Sequence, residues 1–570
     1  MIDIKTKSKL ELSQFLKYNK FSFFNIIAVI LEFVIFSYRH FKLKYFSKYF
    51  KDRRNFLKNK KLQLGEKIEL KDFNFIRFNR VNYKNNLNDT NRKKFSIYDQ
   101  ELISNKIRYY FLIEFIKKKN NPKKIFNKFI KLHNSDKNKY LYKKDIYSAS
   151  ERLSNLIIFL CYNKFSYFNS DLTKEIIISH IHQIAKNIEF HSNNTNNHIL
   201  NNLRSLILAS VFVGDKKLFL SSLKEFLYFY MKIFNKDGSI KEGSTHYQLV
   251  IHNWIEDVYH FSINNNFGYD SKISNLIKKL KNNLISVRAF SSAIFEMYKI
   301  DNITIGDISP DLSPKFLINK INQLYSFKFD NKFKNILSQD WAIYKKNKLF
   351  FASSISNKLI DFRRTHHHND LTSFIFFYKS FPIIIDLGRY DYTKNQLSIY
   401  HYSSFAHNSV FINGLSLYPH FFYKNFLPNE YFQKYLKKNN IIKKSKGFKI
   451  ITDGFKRYNL LSNYSREFKL LSNRLIIKDS IISTFRREIK LIYNLSNHLK
   501  LLSNSNNLIT FSFKTNKVLF DFNDNKLPMN FSFKKVLLSQ NYGKKIYINQ
   551  LIINFTYKGN LSFFSKINII

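Results

Sequence analysis

The sequence predicts an all-helical domain followed by an all-β domain, joined near residues 328–339. Three observations carry this. Over the first 330 or so residues apolar side chains recur at three and four spacing, the period of a helix with one buried face. After about residue 340 the apolar runs shorten, β-branched and aromatic residues take over, and Asn, Ser, Gly or Asp separate them, as in strands joined by turns. The chain has 570 residues, a length for which two or more domains are the natural expectation.

In the helical half, TKEIIISHIHQIAKNIEF (173–190) follows Asp171 and Thr173, both good caps. NHILNNLRSLILASVFVG (197–214) stops at Gly214, and Asp215 can cap KKLFLSSLKEFLYFYMKIF. YQLVIHNWIEDVYHF (247–261) and SNLIKKLKNNLISVRAF (274–290) follow. Connections are short, so consecutive helices should pack antiparallel. No exact short repeat is present, only helical hairpins in series. The strand candidates are WAIYKKNKLFFASSI, SFIFFYKSFPIIIDLG, NSVFINGLSLY, GFKIITDGF, REFKLLSNRLIIKDSII and REIKLIYNL. So many in series suggest an antiparallel sandwich or barrel.

Composition narrows the partners less than it first promises. Apolar residues at 44% and aromatics at 17% support folded cores and argue against disorder. Lysine and arginine outnumber the acids 94 to 41, a net charge of +53. Such a field attracts polyanions: nucleic acid, acidic polysaccharide or an anionic membrane. Yet the lysines are spread along the chain, and heavy use of Lys, Asn, Ile, Phe and Tyr is also what an AT-rich genome produces. The one cysteine, Cys161, excludes a disulfide framework and a Cys-rich zinc module. The first twenty residues show no compact apolar core followed by small residues, so no cleavable signal peptide is evident. FNIIAVILEFVIFSY (24–38) is interrupted by Asn25 and Glu32 and falls short of the roughly 20 apolar residues of a span. It reads as a buried or interfacial helix, with a poor signal anchor the alternative, and no stable membrane span is expected.

FRRTHHHNDL (362–371) raises the chemical question. In an extended strand, residues two apart share a side, so His366 and His368 would face together with His367 opposite. Asp386 in IIIDLG and His407 in FAHNSV follow in apolar, strand-like runs. His, Asp and His are donors that zinc accepts, and neighbouring strands can bring them together. Against this stands a solvated basic loop, with Asp386 and Asn408 as turn starters. In the helical half, EFHSNNTNNHILNN (189–202) puts Asn197 and His198 at a helix entrance, where backbone N–H groups favour an anion. DGSIKEGSTHYQL (237–249) puts Glu242, Ser244 and Tyr247 around the loop entering the next helix. Helix capping is the competing account of both clusters.

Six segments, in order, tie these clusters together. DIYSASERLSN (145–155) is similar to a segment with Pro-Tyr, Ser, Arg and Asn-Trp: Tyr147, Ser150, Arg152 and Asn155 match, while Ile146 and Leu156 replace Pro and Trp. NNHILNNLRSLILASVFVGD resembles a helix that starts Asn-His and carries another Asn four residues after the His, here Asn202. DGSIKEGSTHYQL resembles an Asp-Gly, Glu, Ser, Tyr segment, and HHHNDLTSF a His-x-His-x-Asp followed by Ser-Phe. IIIDLGRYDY resembles a strand with Asp, Gly and Tyr, with Leu387 where Pro is usual, and FAHNSVFING an Ala-His-Asn segment ending in Gly. Together, over roughly residues 145–415, they resemble the heparinase II/III-like polysaccharide lyases, a family that includes alginate and oligoalginate lyases.

The resemblance implies an incomplete α/α toroid (1–335) followed by an antiparallel β-sandwich (340–570), with the active site between them. It implies that Asn197 and His198 neutralise a uronate carboxylate, that Tyr247 and His366 are catalytic, and that His368, Asp386 and His407 hold a metal, usually zinc, that organises the site. Glu242, Arg363 and Arg364 are candidates for substrate contact, with a solvent-facing role the alternative for the arginines. The implied reaction is β-elimination on a uronate-containing acidic glycan. The C5 proton must leave beside a carboxylate whose charge donors neutralise, the logic of an oxyanion hole. Tyr247 is expected as the acid, and it or His366 as the base. A catalytically repurposed acidic-glycan-binding protein of envelope assembly is the alternative. Nucleic-acid binding has charge alone in its favour, so no nucleic acid partner is expected. The expected location is the cell envelope or periplasm.

Overall fold

The computed structural model describes residues 99–114, 121–136, 145–163, 171–189, 197–330, 333, 335–338, 340–355, 366–393, 395–417, 439–458, 464–505 and 507–570. The 24–38 segment, Arg363 and Arg364 lie outside them. The N-terminal part is helical: α1 (Gln100–Lys106), α2 (Phe111–Glu114), α3 (Pro122–Asp136), α4 (Ile146–Tyr162), α5 (Asp171–Lys186), α6 (Asn197–Phe212), α7 (Lys216–Ile233), α8 (Thr245–Ile263), α9 (Ser271–Ile294) and α10 (Pro314–Leu324). Short polar side chains start them as expected: Asp145, Asp215, Ser244, Asp270 and Ser313 each accept a first-turn N–H.

Helix α6 is the hub, packed against α4, α5, α7 and α8. Nearly every residue along it is buried, including polar ones that must find partners. Asn201 Nδ2 donates to Tyr147 O at 3.3 Å, and Asn202 Nδ2 to Ser150 Oγ at 3.0 Å. Arg204 pairs with Glu151 of α4 at 3.0 Å and with Asp257 of α8 at 2.6 Å, while Lys320 of α10 reaches Asp257 at 3.1 Å. Four inner helices are thus tied by buried ion pairs, where loss of one partner would strand a charge. Among the described residues no helix is long and apolar enough to cross a membrane.

The C-terminal part is two antiparallel sheets. The smaller is a meander of β1 (Ile336–Leu337), β2 (Trp341–Lys346), β3 (Leu349–Ser354), β4 (Ile375–Tyr378) and β5 (Phe381–Ile384). The larger runs β12-β13-β14-β16-β11-β10-β9-β8, with β15 on β16 and the β6–β7 hairpin on β11. Its strands are β6 (Val410–Ile412), β7 (Leu415–Ser416), β8 (Asn440–Lys444), β9 (Gly447–Thr452), β10 (Tyr464–Leu470), β11 (Arg474–Asn494), β12 (Lys500–Ser505), β13 (Leu508–Phe513), β14 (Asn516–Asp521), β15 (Asn530–Leu538) and β16 (Ile546–Ile569). A short helix, α11 (Gln396–Tyr402), lies between β5 and β6.

The small sheet is buried on both faces, which explains why all of β3 is buried. Period two divides its side chains. Leu349 and Phe351 face the sandwich core, where Phe351 meets Phe468 at 4.9 Å. Phe350 and Ala352 join the helical core, as does Trp341, 5.8 Å from Phe290 of α9. The expected class, a helical toroid followed by an antiparallel sandwich, is therefore the observed one. Expectations change here: the run REFKLLSNRLIIKDSII divides at residues 471–473 into β10 and the start of β11, and β11 continues through REIKLIYNL, expected as a separate strand. A register shift against β16 between Ser483 and Arg487 lets the strand bend and continue where a turn was expected.

Candidate active site

The site lies where loops of the helical domain meet those of the β domain. Ser244 caps α8, accepting Tyr247 N–H at 3.1 Å, and its hydroxyl donates to Asp307 O at 2.7 Å. Asp307 N–H in turn donates to His366 O at 3.2 Å. This close approach needs glycine at two points. Gly306 has φ +80°, and a Cβ there would lie 2.6 Å from Gly243 O and 3.0 Å from His366 O. Gly243 has φ +71°, and its Cβ would strike the His367 ring, 2.4 Å from Nε2. Both sit in the left-handed region that glycine enters without penalty.

His366–His368 lie in a loop between β3 and β4, not in a strand. The expected alternation nevertheless holds for a different reason: one carboxylate gathers the two outer histidines. Asp307 Oδ2 is 3.0 Å from His366 Nδ1, and Asp307 Oδ1 is 2.8 Å from His368 Nε2. Arg389 Nη1 adds a third bond to Oδ1 at 2.7 Å. Burial opposes a charge on Asp307, but Arg389 and the two histidines hold its carboxyl well below the usual carboxylate range. Sequence reasoning did not single out Asp307. It is one acid among Asp301, Asp307 and Asp311 in a single loop, and nothing local marks its partners.

Tyr247 and His366 stack, ring centroids 3.6 Å apart at 14°. The Tyr247 hydroxyl meets that of Tyr392 at 3.2 Å. Burial, and then the charge of Glu101, push the Tyr247 phenol well up. Glu242 links the two halves: Oε1 accepts Asn197 N–H at 2.9 Å, and Oε2 lies 3.5 Å from His366 Nε2. Glu242 Oε2 and Asn197 Oδ1 are buried with no hydrogen-bond partner. The His198 ring packs at a tilt on Tyr147, centroids 4.8 Å apart, and its Nδ1 meets Glu189 Oε1 at 3.2 Å. Burial works against its charge, but the Glu189 bond together with the charges of Glu189, Glu101 and Glu242 raises its pKa.

His368, Asp386 and His407 converge: one donor atom from each lies within 4.8 Å of the others, and all three residues are buried. Asp386 just follows β5 and His407 just precedes β6. His407 Nδ1 bonds Asp386 Oδ2 at 2.7 Å, and Gly388 N–H holds Asp386 Oδ1 at 3.0 Å. Two buried ring nitrogens, His368 Nδ1 and His407 Nε2, have no partner. Unpaired imidazole nitrogens beside a carboxylate are a donor set that fits a divalent metal such as zinc. His368 also donates its other nitrogen to Asp307, the outer support that metal-binding histidines usually have. Asp370, buried beside this group, is pushed up to about 7, first by burial. Asn408 starts no turn; it binds Phe374 O at 2.6 Å and Ile385 O at 2.9 Å and accepts Asn494 N–H at 2.7 Å, stapling the strands behind the cluster.

Helical toroid, sandwich and a polar site between them together define a heparinase-type architecture. Residues 331–562 match the family model described as heparinase II/III-like, C-terminal. A solved heparinase III is 13% identical over 81% of this chain and 76% of its own, with a TM-score of 0.59. A second heparinase III structure is 15% identical, covering 75% and 68%, with a TM-score of 0.56. A mutant heparan sulfate lyase from Pedobacter heparinus is 12% identical, covering 84% and 78%, with a TM-score of 0.53. At such identities the likeness establishes the fold. No curated protein matches the chain in sequence.

Proposed function

We propose that the protein is a polysaccharide lyase that cleaves a uronate-containing acidic glycan by β-elimination. The observation that carries this reading is the stacking of Tyr247, from the helical domain, on His366, from the β domain, with Glu242 bridging His366 and Asn197. In this reading the uronate carboxylate sits at the N-terminus of α6. Asn197 and the His198 imidazole, whose charged form its Glu189 partner favours, offset the negative charge that builds as the C5 proton leaves. Asp307 accepts a hydrogen bond from His366 Nδ1–H, so Nε2 is the basic nitrogen. His366 Nε2 removes the C5 proton, and the Tyr247 phenol, protonated because its pKa is raised, gives its proton to the departing glycosidic oxygen. Glu242 Oε2 is placed to accept a sugar hydroxyl.

A zinc ion is proposed for His368, Asp386 and His407, where it would bind as a Lewis acid and brace the loops. Elimination consumes no water, so no activated water is needed. The wider positive charge of the chain supports steering of an acidic polymer toward the cleft.

Ultraviolet absorbance over time, on a panel of uronic-acid polysaccharides, tests the reading. Elimination creates an unsaturated, absorbing uronate; hydrolysis does not. A rise on one polymer supports the proposal. New reducing ends without a rise would replace elimination by hydrolysis.

A further inference from the structure

We infer that Tyr542, on the loop between β15 and β16, is a positioning residue that sets Tyr392 against Tyr247 and anchors both to the helical domain. The inference rests on the reading of Tyr247 as the proton donor. Nothing near Tyr542 in sequence marks it, and it lies some 300 residues after Tyr247.

The loop is docked on the segment that follows β5. Ser539 N–H donates to Leu387 O at 3.0 Å and Gly543 N–H to Tyr390 O at 2.9 Å. Asn302 Nδ2, from the helical part, donates to Asn541 Oδ1 at 3.1 Å. Between these anchors the Tyr542 hydroxyl makes two bonds of opposite sense. It donates to Asp99 Oδ2 at 2.6 Å and accepts Tyr392 N–H at 2.9 Å. Asp99 is itself pinned, because Oδ1 accepts Leu102 N–H at 3.1 Å and so caps α1. One carboxylate thus starts a helix and holds a loop from the far end of the chain.

Tyr392 is fixed on every side but one. Its backbone is held by the Tyr542 hydroxyl, and its ring stacks on Tyr542 at 5.7 Å and 23°. The Arg389 guanidinium lies 4.3 Å from the same ring while donating to Asp307. What remains is the hydroxyl, and it meets Tyr247 at 3.2 Å. A hydroxyl beside the proton donor sets where that proton points and replaces it after transfer, so an error in its placement costs rate more than binding. Tyr542 touches none of the proposed reacting groups; it acts through Tyr392.

Tyr542→Phe keeps the stacked ring and removes both hydrogen bonds. Nitration by tetranitromethane at neutral pH, mapped by mass spectrometry, reads the effect without substrate. Tyr392 should nitrate about fivefold faster in the variant, the order of effect of one lost hydrogen bond, with Tyr269 as an exposed control. On a polymer that the wild type cleaves, kcat should fall about tenfold with KM within about twofold. Tyr542→Phe should cost nothing further in a Tyr392→Phe background. Asp99→Asn has one acceptor oxygen in place of two, so it loses either the α1 cap or the Tyr542 bond, and it should move both readouts in the direction of Tyr542→Phe. Unchanged nitration of Tyr392, or a loss that adds to that of Tyr392→Phe, overturns the inference. If no polymer is cleaved, the lyase reading fails on its own, and nitration still decides whether Tyr542 holds Tyr392.

Discussion

Asp307 and His368 are joined by a hydrogen bond of 2.8 Å between a carboxylate of the helical domain and an imidazole of the β domain. The same carboxylate holds His366 at 3.0 Å. One side chain therefore orients both the proposed base and a proposed metal ligand. Asp307→Asn should weaken zinc binding about 10- to 100-fold, as loss of an outer support does, and should lower kcat in parallel. Competition with a chromogenic chelator measures the first without substrate. Zinc affinity equal to wild type would show that Asp307 does not support His368.

Removing the proposed proton-transfer groups should leave binding largely intact. Tyr247→Phe and His366→Gln should each lower kcat by about 10²–10⁴-fold, with KM changed far less. Stopped-assay absorbance at saturating polymer measures this. A Tyr247→Phe enzyme of undiminished rate would remove that residue from the mechanism.

The stacked rings put the proposed acid and base on one wall of the proposed cleft. A single wall serves a C5 proton and a leaving oxygen on the same face of the sugar. Polymers of gluco-configured uronate should therefore be cleaved faster than those of its C5 epimer, in which the proton lies on the opposite face. Initial rates on matched oligosaccharides decide it, and a preference for the epimer would require acid and base from opposite walls.

Gly243→Ala should destabilise the domain junction. The new methyl would sit 2.4 Å from His367 Nε2 at a backbone φ of +71°, which costs about 1–3 kcal/mol in strain and overpacking. A lowered thermal midpoint with a weakened zinc site is the expected outcome. A midpoint equal to wild type would mean that the His367 loop yields freely.

Acid should destabilise the helical domain earlier than carboxylates alone would cause. His180 donates Nδ1–H to Ile176 O at 2.8 Å and receives Arg152 Nε–H at 3.2 Å. His246 donates Nε2–H to Leu312 O at 2.7 Å and receives Ser309 N–H at 3.1 Å. Both must be neutral, and burial lowers their pKa values to about 3 and about 4. The unfolded histidine titrates near 6.5, so this stability is complete above about pH 6.5 and is lost as pH falls toward the folded values. Denaturant unfolding at pH 7.5 and pH 5 should differ by on the order of 1–2 kcal/mol per histidine, and His180→Gln should shrink the difference. An unchanged difference would show that His180 is not its source.

The helices, their caps and most strands were legible because they depend on neighbours in sequence. Ser244 and Asp215 cap where a short oxygen precedes an apolar period, and β3 reads as a strand because both its faces are apolar. The six separated motifs also placed Asn197, Tyr247, His366, His368, Asp386 and His407 near one junction. Asp307, Tyr392 and Tyr542 could not be read this way. Each works through a partner dozens to hundreds of residues away, and an Asp or Tyr among many carries no mark of that partner. The β11 run misled for a related reason: a register shift against β16 is a property of the pair, absent from either strand alone.

By itself the sequence determined the two periods, the order of a helical and then a β domain, and the residue types available for proton transfer and metal binding. These follow from local rules of propensity and alternation, which act over a few residues. Only the tertiary structure decided which groups meet: Asp307 between two histidines, Tyr247 stacked on His366, and Tyr542 bridging Asp99 to Tyr392. Those contacts are made by packing the small sheet between helices and sandwich, and burial then leaves each polar atom to find its partner across the junction.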